Sequence, residues 1–251
     1  MIRVDINCDL GEGIGNDAAV MPYISSANIA CGYHAGDAET MDQTLQMALK
    51  NKVGAGAHPG FKDKQNFGRI AQPLSAAEIE QLVSEQVTIL QKRAANAPCQ
   101  LTHVKPHGAL YNMAAADYTV ALAIAKGVKA INPELLYFGL ANSPMIQAAH
   151  DVGLRAVSEV FADRAYTNDG HLVSRQQQGA VIHDVEYCSK RVLEMVLHNR
   201  VESIEGKRIP IKADSICIHG DNPEAVDMAK AIHAALVDNG VQIVSPHASA
   251  L

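Results

Sequence analysis

Three basic side chains alternate along Leu101–Asn112: His103, Lys105 and His107. Alternate residues of a strand share a face, so all three point the same way. Pro106 then removes a backbone donor and ends the ladder. Titratable groups placed like this are expensive to bury unless they have partners or chemistry to perform. The pattern recurs along the chain. Asn7, Asp9 and Glu12 close one apolar segment, Asn28, His34 and Asp37 a second, and His58 a third. Asn142 closes another, then Glu159, Asp163 and Arg164, then His219 and Asp221. In parallel β/α folds, function collects beyond the carboxyl ends of the strands. So many polar ends predict a shared pocket, and the reading is an enzyme.

Each residue type suggests a task. Lys105 suits a developing oxyanion or a phosphate, or an ion pair with Asp163 or Asp221. His107 lies at the mouth, Lys105 one step deeper, and His103 deeper still as a hydrogen-bonding residue. His219-Gly220-Asp221 offers a general base with its orienting carboxylate; the alternative for Asp221 is helix capping before Pro223. Arg69 and Arg164 lie in loops and can grip a carboxylate bidentately or remain solvated. Asn7, Asn28, His34, His58 and Asp163 complete the substrate-binding candidates. Asp9, His34 and His58, with His107, also form a donor set for a divalent hydrolytic ion. Each comes from a different strand and no HExxH or HxxxH pair exists, so spacing leaves metal binding open. Asp5, early in its strand, reads as structural. The phosphate-loop pattern GxxxxGK[ST] is absent, and the glycines of 11–15 are a weak phosphate signal.

The elements that must position these groups follow a regular rhythm. Strands are expected at 2–9, 25–31, 53–58, from 101, at 135–140, 155–160 and 215–219, with 241–244 as a candidate eighth. Helices are expected at 38–51, capped by Asp37, and from Ser75 to about 95, where Ser75 and Glu78 form a capping box. Others are expected near 117–131, from Pro144, at 184–199 and from Pro223 to about 238. Residues 167–183 break the rhythm, and 201–212 read as a hairpin around Glu205-Gly206. No repeat or linker divides residues 1–251. Strand then helix, seven or eight times, predicts a single α/β domain. Its form is an irregular seven-stranded parallel β/α barrel, or an eight-stranded one if 241–244 joins; an open doubly wound sheet is the runner-up.

Composition narrows the class. Of 251 residues, 48% are hydrophobic and 19% charged, enough for a sizeable core. A net charge of -6 without a basic stripe argues against nucleic acid. No run is long enough to span a membrane, and the first residues read as a strand rather than a signal peptide. The five cysteines are scattered without a CxxC pair, which points to free thiols in a reducing cytoplasm. Cys8, Cys31 and Cys217 read as buried structural residues.

As a set, Asp5–Glu12, Ser26–Asp37, Gly56–Gly60, His103–Asn112, Glu159–Tyr166 and Ile218–Asp221 resemble the LamB/YcsF family. The resemblance implies a barrel related to the glycoside hydrolase/deacetylase superfamily. It implies ATP-dependent opening of 5-oxo-L-proline to L-glutamate, with ADP and phosphate, by a complex with partner subunits B and C. ATP would be a co-substrate whose site can lie in those partners. On this reading Asp9, His107 or His219 transfers protons, Lys105 holds oxyanion or phosphate charge, and Arg69 or Arg164 takes the substrate carboxylate. Asp221 stays in the catalytic set beside His219. The rival classes are a metal-dependent deacetylase or amidohydrolase and a non-catalytic lactam-binding subunit.

Overall fold

The computed structural model describes residues 1–220 and 222–247. Its centre is a ring of short parallel strands. These are β1 (Arg3–Leu10), β2 (Ser26–Ala30), β3 (Gly54–His58), β4 (Leu101–Val104), β5 (Leu136–Leu140) and β6 (Ala156–Phe161). Two short strands, β7 (Arg200–Glu202) and β8 (Arg208–Pro210), form a separate antiparallel hairpin. The next strand, β9 (Ser215–Ile218), pairs with both β6 and β1 and so closes the ring at seven strands. The candidate eighth strand exists as β10 (Gln242–Ile243), but among the described residues it pairs only with Arg3 and Val4 at the start of β1. It extends the sheet below the barrel instead of widening it.

The helices alternate with the strands: α1 (Asp17–Val20), α2 (Ala38–Asn51), α3 (Ala76–Asn96), α4 (Gly108–Ala116) and α5 (Tyr118–Ile131). They continue with α6 (Pro144–Asp151), α7 (Val185–His198) and α8 (Ala225–Asp238). Local chemistry sets their starts. Asp37 accepts from Thr40 N at 2.9 Å, and Ser75 with Glu78 completes the capping box. Asp117 and Ser143 cap α5 and α6, with Pro144 in the first turn of α6. The helix α4 has no sequence-based expectation. It is apolar nearly all round and begins at a glycine, so neither periodicity nor a polar cap marks it.

The barrel wall has two faces of different chemistry. Side chains pointing outward join the helices in the main apolar core. Those pointing inward from β1, β2, β4, β6 and β9 are largely polar: Asp5, Asn7, Asp9, Ser26, Asn28, His103, Glu159 and Ser215 are all buried. Opposite them, Leu136 and Phe138 of β5 pack with Val157 of β6 as a small apolar plug. His103 stacks on Phe138 with centroids 4.4 Å apart. Its Nε2–H donates to Asn28 Oδ1 at 2.8 Å, and Thr102 Oγ1 meets Nδ1 at 2.8 Å. Burial holds its pKa down at about 3, so the ring is neutral. Gly56 faces that ring across the β3–β4 pair. At the barrel's lower end Asp5 accepts from Ser25, Ser26 and Ser215, the structural role its position suggests.

A Cβ at Gly56 would lie 2.2 Å from the His103 ring, which stacking and hydrogen bonds on both nitrogens hold in place. Gly56→Ala is therefore expected to destabilise the chain by about 2–4 kcal/mol in chemical denaturation, from overpacking and lost buried hydrogen bonds. Asp5 has its pKa pushed by burial from 3.8 up to about 6, against the pull of its three hydroxyl donors. Between those values the folded chain binds more protons than the unfolded one, so this group's contribution to stability falls as pH rises. Relative to Asp5→Asn, the wild-type chain should lose about 3 kcal/mol between pH 4 and pH 7. An unchanged difference would show that Asp5 titrates as an ordinary carboxyl.

Candidate functional site

The inward-facing residues continue upward into a cavity of about 600 Å³ at the carboxyl ends of the strands. Lys105, just past β4, lies at its floor. The ammonium Nζ is 2.9 Å from Asp9 Oδ1, 3.0 Å from Glu159 Oε1, 3.1 Å from Asn7 Oδ1 and 2.9 Å from Cys217 Sγ. Burial opposes the charge, but Asp9 first, then Cys217 and Glu159, hold the pKa well above its usual range. Burial also opposes ionisation of Asp9. His58 and Lys105 outweigh it and keep that carboxyl well below the usual value. The carboxylates that pair with Lys105 among the described residues are thus Asp9 and Glu159, and not Asp163.

Asn7 and Asn28 are fully buried under this floor rather than facing substrate. Asn28 Nδ2 donates to Asn7 Oδ1 at 2.7 Å and Asp9 Oδ1 at 2.8 Å. Asn7 Nδ2 donates to Glu159 Oε1 at 2.9 Å and Ser215 Oγ at 2.7 Å. Every polar atom of these two amides is engaged, so they fix Asp9, Glu159 and Lys105 in place. This corrects their reading as substrate-binding groups.

On another wall stands His219, just beyond β9, with Phe161 stacked on it at 5.4 Å. Its Nδ1–H donates to Asp163, with separations of 2.9 and 3.1 Å to the two carboxylate oxygens. Asn222 Nδ2 reaches the same carboxylate at 3.4 Å. Burial pushes the Asp163 pKa up, but His219 and its hydrogen bond hold it below the normal range. The orienting carboxylate of His219 is therefore Asp163, from the end of β6. Asp163 is 1% exposed and does not line the cavity, which corrects its reading as a substrate contact. Asp221 lies outside the described residues.

Four groups from β1 to β4 meet on the far side of Asp9. Glu12, His34, His58 and His107 each offer a donor atom, and these atoms lie within 4.8 Å of one another. His58 Nδ1–H donates to Lys105 O at 2.7 Å and His107 Nε2–H to Phe67 O at 2.8 Å. His34 stacks on His107 with centroids 3.8 Å apart. Burial first, then neighbouring imidazoles, keep the pKa of both His34 and His107 well below the usual value. His107 spends Nε2 on Phe67 O and turns Nδ1 into this cluster toward His58 Nε2 at 2.9 Å, so its reading as the mouth's proton-transfer group gives way to His219. Glu12 joins all three imidazoles, while Asp9 reaches His58 Nε2 with Oδ2 at 3.3 Å and gives its Oδ1 to Lys105 and Asn28. Three imidazoles and one carboxylate fit a divalent ion.

The rim is cationic. Arg164 lines the cavity while anchored to Val173 O and Ala180 O at 2.6 and 3.3 Å. Arg191 holds the backbone beneath it by donating to the carbonyls of Phe161, Ala162 and Arg164. Arg69 is exposed and covers the Phe67 ring at 5.0 Å. Arg175, from the irregular segment after β6, lines the same rim. Asn142 points away, donating to Pro210 O, so β5 brings no polar group to the site. Sequence reasoning left Glu12, Glu159, Cys217 and Arg175 out of the site. Glu12 and Glu159 did stand among the polar strand ends. Cys217 shares the inward parity of Ser215 and His219, which was its available signal; Arg175 had none.

The LamB/YcsF family profile matches residues 4–250. The A subunit of 5-oxoprolinase from Nitrobacter hamburgensis is 48% identical over 250 residues, covering 96% of this chain and 97% of that protein. Its counterpart of the same name from Clostridium beijerinckii is 47% identical over 252 residues, covering 98% and 99%. A solved structure, the lactam utilization protein of Thermus thermophilus, superposes with a TM-score of 0.91 at 39% identity, covering 97% of this chain and 99% of that one. A peptidoglycan deacetylase of Bacillus subtilis, at 12% identity and a TM-score of 0.51, shares the fold alone. It covers 98% of this chain and 88% of its own. With nearly its whole length matched, this chain belongs to the LamB/YcsF family.

Proposed function

We propose that this chain is the lactam-processing subunit of a 5-oxoprolinase. It hydrolyses 5-oxo-L-proline to L-glutamate at the expense of ATP, with ADP and phosphate released, alongside partner subunits B and C in the cytoplasm. The names borne by its relatives and the lactam utilization protein support this reading. The observation that carries it is one cavity holding a buried ammonium, Lys105, and an oriented imidazole, His219, under a rim of arginines. The cysteines are all unpaired, in keeping with a reducing compartment.

A lactam is a resonance-stabilised amide with little drive to open. Phosphorylating its oxygen makes the ring carbon a better electrophile for water. The chain carries no phosphate-loop sequence, so activation by ATP is assigned to the partners. Arg69, Arg164 and Arg175 then take the substrate carboxylate or phosphoryl oxygens by charge-assisted hydrogen bonds. Lys105 stabilises negative charge that builds on the former carbonyl oxygen. Asp163 holds His219 Nδ1, which leaves Nε2 to accept a proton from the attacking water. Water oxygen bonds to the ring carbon, the carbon–nitrogen bond breaks and the same proton passes to the departing nitrogen, which leaves an acyl phosphate; a second water then cleaves that acyl phosphate to release phosphate and glutamate.

The reading is tested by measuring ATP-dependent glutamate release with the chain alone and with B and C. Release is expected only with the partners, and full activity without them would overturn the division of labour. Asp163→Asn in the complex should lower kcat by about 10²–10⁴-fold with little change in KM, because His219 loses its tautomer and orientation. Pocket variants whose affinity and turnover fall in proportion would instead mark a subunit that only presents lactam.

A further inference from the structure

Four donor atoms converge beside the cavity. His58 Nδ1 and His107 Nε2 each donate to a backbone carbonyl, of Lys105 and Phe67 respectively. Their other nitrogens, His58 Nε2 and His107 Nδ1, face each other at 2.9 Å, with Asp9 Oδ2 3.3 Å from the former. Glu12 Oε1 stands 3.4 Å from His107 Nδ1 and 3.9 Å from His58 Nε2. It is 3.4 Å from His34 Nε2 as well, and neither ring nitrogen of the buried His34 makes a hydrogen bond among the described residues. Three imidazoles and a carboxylate that converge this closely, one ring with no hydrogen bond of its own, suit a shared cation.

The ammonium of Lys105 does not fill that place, since Asp9, Glu159 and Cys217 hold it in the neighbouring group. The same engagement argues against an ion at the other donor cluster, Asp9–Cys217–His219, where Lys105 already supplies the positive charge.

The spacing and the support both suit a metal ion. Bonds of 2.0–2.1 Å to nitrogen and oxygen in a tetrahedral site place ligands about 3.3 Å apart. Two of the gaps are 3.4 Å. The rings are held by a second layer of contacts, as ligating histidines are. The His34–His107 stack fits between Gly60 and Gly68. A Cβ at Gly60 would lie 2.7 Å from His34 Nδ1, and one at Gly68 would lie 2.8 Å from His34 Cβ. Gln86 of α3 clamps Gly60, accepting from its N–H at 3.0 Å and donating to its carbonyl at 2.8 Å.

We propose that Glu12, His34, His58 and His107 form a divalent-metal site in the cavity wall. Three imidazoles and one carboxylate select Zn²⁺ or a neighbouring late first-row ion over Mg²⁺ and Ca²⁺, which take oxygen ligands. His58 and His107 line the cavity, while Glu12 and His34 stand behind them.

The test uses the full chain purified without chelator, with metal content measured by elemental analysis. Metal-stripped protein is then titrated with Co²⁺ and Zn²⁺. One ion per chain, the strong visible bands of tetrahedral Co²⁺ and a Tm raised on Zn²⁺ addition are expected. His34→Ala should weaken binding about a hundredfold or more. The near-isosteric Glu12→Gln should also weaken it and guards against a misfolded alanine variant. His219→Ala should retain the ion. A folded chain without stoichiometric metal or Co²⁺ bands would overturn the site. So would loss of the ion in His219→Ala with retention in Glu12→Gln, which would move it to the other cluster. Metal content is read without lactam, ATP or partners, so its outcome is independent of the glutamate-release assay.

Discussion

A buried ammonium inside a closed barrel constrains everything around it. Lys105 is 2% exposed, and a charge so placed is tolerated only with close counter-charges and satisfied hydrogen bonds. Asp9 and Glu159 supply the charge, and Asn7 and Cys217 complete the shell. Those carboxylates need their own donors, so the demand passes outward. Asn28 holds Asp9, His103 holds Asn28, and Asn7 ties Glu159 to Ser215, which in turn donates to Asp5. One charge at the floor thus orders a chain of polar contacts down the barrel. A partly satisfied network of this kind would be worse than an apolar core.

Small residues in the strands make this possible. Gly56 leaves space for the His103 ring, and Gly60 and Gly68 leave space for the His34–His107 stack. On the other side, Leu136, Phe138 and Val157 fill the barrel with apolar volume. The interior is therefore divided, with ionisable groups from β1–β4, β6 and β9 and an apolar plug from β5. The cavity opens above the polar part, where Lys105, Asp9 and His219 become accessible. The arginines at the rim favour an anionic occupant.

Much of the architecture was legible locally. Strand–helix alternation, the Asp37 cap, the Ser75–Glu78 capping box and Pro144 mark their elements because each depends on residues a few positions apart. The hairpin around Glu205-Gly206 is present for the same reason. The helix α4 escaped because its residues are uniformly apolar, so burial on several sides erased the amphipathic period. The short β10 was legible as a strand, but its place below the barrel was not, because that depends on which edge of β1 remained open.

The sequence by itself determined which residues end the strands, which of them share a face, and that polar chemistry gathers at one end. Period-two alternation and turn residues suffice for that. Only the tertiary structure decided the pairings. Lys105 meets Asp9 and Glu159, His219 meets Asp163, and Glu12 joins three histidines from three other strands. Alternation says that a side chain points inward, but not which inward side chain it touches. Strand register, closure of β9 onto β1 and the depth of each strand end set those neighbours, and they act between residues far apart in the chain.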